Sequence, residues 1–278
     1  MKIISTIAEF REVRSQLTGT LGFVPTMGYL HEGHLSLVRA ARKDNDAVAV
    51  SIFVNSTQFA PGEDFGTYPR DIDRDKSMLE QEKVDLVFMP SSQEIYPPDF
   101  NTWVAVDKVT ERLEGASRPG HFKGVATVVA KLFNIVQPRV AYFGQKDAQQ
   151  AVVIQKMVAD LNMNLSVIVV PTMREPDGLA MSSRNTYLNS QERQSALVLW
   201  NSLELAQRLW SEGAYDANLI HQEMRALIQA DPLADIDYIS IADPYSLEEL
   251  ITLETFALVS LSVRIGKTRL IDNIILHR

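Results

Sequence analysis

The chain has 278 residues, 46% of them hydrophobic and 22% charged, with a formal net charge of -8 and no cysteine. That length builds one large domain or two moderate ones. The balance excludes disulfides, thiolate catalysis and cysteine-bound zinc, and it lacks the basic footprint of a nucleic-acid binder. Met1-Lys2-Ile3-Ile4-Ser5 holds no apolar signal-peptide core, and polar residues break every apolar run well short of a membrane span. A cytoplasmic protein with no membrane and no nucleic-acid partner is expected.

Thr6 and Glu9 stand at capping-box spacing, and Ile7, Phe10, Val13 and Leu17 follow at helical intervals. Leu21, Phe23 and Val24 predict a strand over 21–24. A turn with Pro25 and Gly28 follows, and Leu35, Leu37, Val38 and Ala41 predict a helix opened by His31-Glu32-Gly33-His34. Residues 47–54 are almost continuously apolar, as in a strand buried on both faces. The spacing predicts a charged amphipathic helix over 70–83 and a short buried strand over 84–89, ended by Pro90. Helix 123–136, strand 140–143, helix 148–161 and strand 165–170 complete the alternation. Strands alternating with helices imply an α/β fold, a doubly wound Rossmann-like parallel sheet. After Pro171 the pattern changes to a polar loop over 174–189, helices over 190–211 and 217–230, and strands over 236–241, 256–263 and 268–276. This predicts two domains, 1–171 and a smaller C-terminal α+β domain over 172–278.

In open parallel sheets, ligands bind beyond the carboxyl ends of the strands. Four polar clusters fall at those places: 25–34, 55–59, 144–147 and 181–185. His31 and His34 lie at a helix start, where free N–H groups and the dipole favour anions, and Gly33 keeps a side chain out of the way. Alone they read equally as two surface histidines beside a cap; the company of the other clusters favours a nucleotide pocket. Lys146 is a mobile point charge suited to phosphate, and Asp147 suits a ribose hydroxyl. Ser182, Ser183 and Arg184 combine hydroxyls with a forked cation fit for a di- or triphosphate, or form an N-cap loop. Asn55 and Gln58 are neutral amides that can bind a hydroxy acid's oxygens, although Asn55 also reads as an amide serving its own loop. Of Gln149 and Gln150, one faces the site and the other solvent. The loop 118–124, with Arg118, Gly120 and His121, is either a mobile flap or a structural turn. Asp71, Asp73 and Asp75 read as a solvated helix face rather than a metal cluster, because alternate carboxylates on a helix point apart. His221 and His277 read as structural.

Pro25-Thr26-Met27-Gly28, His31-x-Gly33-His34, Asn55-x-x-Gln58-Phe59, Arg118-Pro119-Gly120-His121-Phe122-x-Gly124-Val125, Phe143-Gly144-x-Lys146-Asp147-x-Gln149-Gln150 and Met181-Ser182-Ser183-Arg184-Asn185 together resemble the pantothenate synthetase family of the nucleotidyltransferase superfamily. The resemblance runs over essentially the whole chain. It implies ATP-dependent condensation of (R)-pantoate with β-alanine through pantoyl adenylate, with release of AMP and pyrophosphate. It makes 1–171 the ATP- and pantoate-binding domain and 172–278 a domain that closes over the site. By that likeness Met27, Gly28, Tyr29, Leu30, His31, Glu32, Gly33 and His34 line the ATP site, with His34 the proton donor and His31 and Lys146 beside it in catalysis. Gly144, Gln145, Lys146 and Asp147 take the ribose and α-phosphate; Met173, Met181, Ser182, Ser183 and Arg184 take adenine and the phosphate tail. Gln58, Gln150 and Asn55 bind pantoate, with Gln58 also near β-alanine. Mg2+ accompanies ATP, held by phosphate oxygens and water with no protein ligand. A homodimer is implied. The chain departs from the family at Ser56, where proline is usual, and at Gln145, where glutamate is usual. Two other readings remain open: an adenylyltransferase that releases its nucleotide adduct, and a non-catalytic synthetase-like RNA-binding module, against which the net charge of -8 speaks.

Overall fold

A computed structural model describes residues 1–277, and the chain divides in it into two units. The first comprises Met1–Gly144 with Val153–Pro171; the second comprises 145–152 with the chain from Thr172 onward.

In the first unit, β1 (Lys2–Ile4), α1 (Ile7–Gln16), β2 (Leu21–Thr26), α2 (Glu32–Asp44) and β3 (Ala47–Ile52) lead to α3 (Ile72–Gln81) and β4 (Leu86–Phe88). The short α4 (Ser92–Ile95) and α5 (Glu114–Ser117) precede α6 (His121–Val136), β5 (Val140–Gly144), α7 (Ala148–Asp160), whose start as far as Val152 counts with the second unit, and β6 (Ser166–Val170). The six strands form one sheet in the order β1-β4-β3-β2-β5-β6, parallel throughout. The chain moves outward from β2 through β3 to β4, then returns to lay β5 on the other side of β2. The order therefore reverses between β2 and β5, the place where doubly wound sheets bind ligands.

Burial explains the central strands. Val24, Val48 and Val50 are fully buried and pack with Leu30, Leu37, Val38 and Ala41, and with Leu79 of α3. The Thr6 hydroxyl accepts from Glu9 N at 3.3 Å and starts α1 as the capping-box spacing predicts. β1 is an element the periodicity does not reveal. It is three residues at the sheet edge, pairing Ile4 with Phe88, too short to display an alternation.

The second unit holds α8 (Ser190–Ser195), α9 (Leu197–Ser211) and α10 (Ala217–Gln229), then β7 (Ala234–Ala242), β8 (Phe256–Ile265) and β9 (Thr268–His277) in an antiparallel sheet of that order. Leu199, Leu203, Ile220 and Met224 pack with Val259 and Leu261 of the sheet. The helix expected over 190–211 is two helices. Asn189 and Glu192 form a reciprocal capping box that begins the first, and the chain steps at Ala196 into the second. Among the described residues, no helix is long and apolar enough to cross a membrane.

Candidate active site

The segment after β2 is built around a reversal of backbone hand. Gly28 has φ +84° and Tyr29 φ +51°, both in the left-handed region. Glycine accepts this freely, whereas a tyrosine there needs support. Asp75 of α3 supplies it: its Oδ2 accepts from Tyr29 N at 2.8 Å and its Oδ1 from Leu30 N at 2.7 Å. Successive N–H groups aimed at one carboxylate make a small anion nest, filled here from within the chain. A Cβ on Gly28 would stand 3.0 Å from Ile52 and 3.1 Å from the same carboxylate. Asp75 is 1% exposed, and burial pushes its carboxyl above the ordinary range against the pull of the two donors. The expectation of solvated carboxylates over 71–75 holds for Asp71 and Asp73 and is corrected for Asp75. Asp71 caps α3, accepting from Arg74 N at 3.1 Å, and Asp75 points inward to hold the loop after β2.

The two histidines form a cap of their own. His31 is the N-cap of α2, and its Nδ1 accepts from Gly33 N at 3.2 Å. His34 Nδ1 accepts from His31 N at 3.3 Å, and the ring centroids lie 4.1 Å apart. An imidazole that accepts at Nδ1 carries its proton on Nε2, so each ring presents an Nε2–H donor. The backbone N–H groups of Gly33 and His31, expected to be bare here, are capped by the two rings. Glu32 pairs with Arg39, and the Leu30 side chain is fully buried, so these two contribute backbone rather than side chain to the segment.

The segment after β3 is a single turn of 3₁₀ helix, Ser56–Gln58, with Asn55 ahead of it. Asn55 is 1% exposed. Its Nδ2 donates to Gln58 Oε1 at 3.0 Å and to Gly124 O at 3.2 Å; its Oδ1 accepts from the hydroxyls of Thr57 at 2.9 Å and Tyr96 at 3.0 Å. All four hydrogen-bonding positions of the amide are occupied. Asn55 thus orients Gln58, in keeping with the reading of Asn55 as an amide serving its own loop. Gln58 is partly exposed, and its Nε2 donates to Met27 Sδ at 3.3 Å, which joins the clusters after β2 and β3.

The loop 118–124 is a structural turn. Arg118 grips both oxygens of Glu63 at 2.7 Å each and donates to Gln58 O at 3.3 Å. Burial raises Glu63, but the two Arg118 bonds outweigh it and hold the carboxyl below its usual range. Arg118 Nη1 lies 3.1 Å from His121 Nε2, and His121 Nδ1 lies 2.8 Å from Gln58 O. A guanidinium can only donate, so the ring accepts at Nε2 and donates from Nδ1. That neutral state fits its surroundings: burial, then the Arg118 charge, bring the imidazole pKa down to about 4. Gly124 of α6 lies so close beneath the turn that a Cβ would come within 2.4 Å of Thr57 O.

The second unit carries the remaining candidates. Gln145–Asp147 form a 3₁₀ turn directly after Gly144, with Lys146 Nζ 3.9 Å from Asp147 Oδ1. Gln149 is 5% exposed while Gln150 is partly open, so Gln150 is the accessible member of that pair. Arg174 and Ala180 form an isolated antiparallel bridge, and Met181 N donates to Met173 O at 3.0 Å, which sets the two methionines side by side. Ser182 caps the turn Ser183–Tyr187 by accepting from Arg184 N at 3.2 Å; Ser183 is buried and Arg184 partly exposed.

A sequence profile described as Pantoate-beta-alanine ligase matches residues 2–275. The chain belongs to the pantoate–β-alanine ligase family. A pantothenate synthetase from Roseiflexus castenholzii is 58% identical over 277 residues, covering 100% of both chains, and one from Thermotoga petrophila is 55% identical over 279 residues, covering 99% of this chain and 100% of that one. Among solved members of the family, the pantothenate synthetase of Thermus thermophilus matches with a TM-score of 0.95 at 46% identity, over 99% of each chain. A pantoate–β-alanine ligase from Francisella tularensis, crystallised with β,γ-ATP and β-alanine, matches with a TM-score of 0.83 at 37% identity, over 99% of this chain and 97% of that one.

Proposed function

We propose that this protein joins (R)-pantoate to β-alanine using ATP, through an enzyme-held pantoyl adenylate. One arrangement carries the reading: the partly exposed amide of Gln58, fixed by Asn55 and set against Met27, four residues before a helix start that presents two Nε2–H imidazoles. A polyanion and a small neutral-amide-binding acid are the ligands such a pair suits. Family membership over residues 2–275 supports it.

In the first step a pantoate carboxylate oxygen attacks the α-phosphorus, and the bond to the β-phosphate's bridging oxygen breaks to release pyrophosphate. The nucleophile is already anionic, so the protein supplies charge and position rather than a base. His31, His34, Lys146 and Arg184 stabilise the charge that develops on the phosphates, with the His34 Nε2–H donating a hydrogen bond to the departing pyrophosphate. Met173 and Met181 flank adenine, and Asp147 takes a ribose hydroxyl. In the second step the neutral amine of β-alanine attacks the acyl carbon, the bond from that carbon to the AMP phosphate oxygen breaks, and the amine's extra proton passes to the departing AMP or to water. Gln58 and Gln150 hold pantoate. Magnesium enters with ATP, bound by phosphate oxygens and water, since the residues of this set are mostly cationic or neutral donors. The protein acts in the cytoplasm as a homodimer.

The test is product identification from ATP, Mg2+, pantoate and β-alanine. AMP, pyrophosphate and pantothenate, each dependent on both acids, are expected. A stable adenylylated product would instead assign an adenylyltransferase.

A further inference from the structure

Asn273 of β9 is 4% exposed, and its carboxamide is committed to one turn of the chain. Nδ2 donates to the main-chain oxygens of Gln145 at 3.0 Å and Lys146 at 2.8 Å, and Oδ1 accepts from Gln145 Nε2 at 2.9 Å. Three bonds from one buried amide thus converge on two consecutive residues of the turn after β5. Asn273 is itself held. Its N–H donates to Asp272 Oδ1 at 2.8 Å, and Asp272, 2% exposed, pairs with both terminal nitrogens of Arg174 at 2.6 and 3.0 Å. The guanidinium of Arg174 lies 3.9 Å from the Trp200 ring centroid and donates to Gly178 O at 3.1 Å. Gly178 has φ +95°, and a Cβ there would overlap the Trp200 ring.

We propose that Asn273 is the positioning residue of the Lys146 turn, and that the Arg174–Asp272 pair fixes Asn273 in turn. This rests on the role given above to Lys146. A lysine reaches its target through four rotatable bonds, so the place of its charge depends on where its backbone starts. Nζ stands 3.9 Å from Asp147, too far for that carboxylate to fix it. Three bonds to residues 145 and 146, two of them to the backbone, set that starting point before ATP arrives. Catalysis by placed charge is steeply sensitive to position, with a displacement of about 1 Å costing about 10²-fold. The same Arg174 belongs to the segment next to Met173, so one buried network reaches both the lysine turn and the methionine pair.

Single-turnover adenylate formation from ATP and pantoate, followed by pyrophosphate release without β-alanine, tests this. The variants are Asn273→Ala, Asn273→Asp, Lys146→Ala and the double Asn273→Ala/Lys146→Ala, each with its melting temperature. Asn273→Asp keeps the shape but turns an acceptor towards the two carbonyls. Both single variants at 273 are expected to slow the step about 10-fold or more. The double variant is expected to be no slower than Lys146→Ala alone, because Asn273 acts through that lysine. A residue with a structural role only would lower the melting temperature and leave the rate intact. Wild-type-like rates, multiplicative losses in the double variant, or failure of both 273 variants to fold would overturn the proposal. A wild-type protein that releases no pyrophosphate would refute the ligase reading instead.

Discussion

Leu30 donates its main-chain N–H to Asp75 Oδ1 at 2.7 Å across 45 residues of sequence. With the Tyr29 bond to the other oxygen, this ties the first turn of α3 to the loop that feeds the histidines. The carboxylate's cost of burial is partly offset by two N–H donors. Asp75→Asn keeps the volume but turns an NH2 towards one of those donors. Leaving a buried backbone N–H unsatisfied costs about 1–3 kcal/mol. The variant is expected to lose stability in that range and to bind ATP more weakly, because Tyr29 is released from its left-handed conformation. An unchanged denaturation midpoint would show that the nest is not held by this carboxylate.

Asp75 also marks where sequence reading stops. Asp71, Asp73 and Asp75 stand in a charged stretch of sequence, and nothing local says that the third turns inward. Its partners come from another element. The same holds for Asn55, whose four bonds draw on Tyr96 and Gly124. By contrast, the long periodic elements and the four strand-end clusters were legible, since apolar alternation and turn residues are local signals. The missed β1 and the break at Ala196 are features of three residues and one. Asp272 and Asn273 did leave a trace: two adjacent polar residues interrupt an otherwise apolar strand pattern, which marks a buried polar pair with long-range partners.

His121 gives the fold a pH dependence. The unfolded chain protonates this imidazole near pH 6.5, and the folded protein near 4. Between those values the unfolded state binds more protons, so the contribution is complete above pH 6.5 and is lost as pH falls towards 4. The loss amounts to on the order of 3 kcal/mol. His121→Asn keeps a donor for Gln58 O and cannot titrate. Urea midpoints measured from pH 7 to 4 should fall more steeply for the wild type than for the variant. Parallel curves would show that His121 is not the group responsible.

His34→Ala and Lys146→Ala are each expected to slow adenylate formation about 10²-fold or more, the loss typical of one preorganised electrostatic donor. His34 also caps His31 N, so part of its effect is structural. His34→Asn separates the two, since its side-chain oxygen can still accept from that N–H. A slow step with a normal melting temperature in His34→Asn assigns the loss to the missing Nε2–H. Near-normal single-turnover rates in both alanine variants would remove these residues from the chemistry.

Ser56 is the first residue of the 3₁₀ turn that presents Gln58, and it is exposed. A first-position N–H has no partner inside the turn, and a 3₁₀ helix takes φ of about −50 to −70°, the range that proline imposes. The residue ahead, Asn55, has φ -83° and ψ 105°, in the extended region that a following proline demands. Ser56→Pro should therefore fit without strain and act mainly by restricting the unfolded chain, raising stability by about 0.4–1 kcal/mol. It should also narrow the motion of Gln58, whose position the turn sets, and lower the KM for pantoate while leaving kcat little changed. A lower denaturation midpoint would mean that the serine backbone departs from the proline-compatible geometry. A gain in stability with no change in KM would mean that Asn55, Arg118 and His121 already hold Gln58 as firmly as catalysis requires.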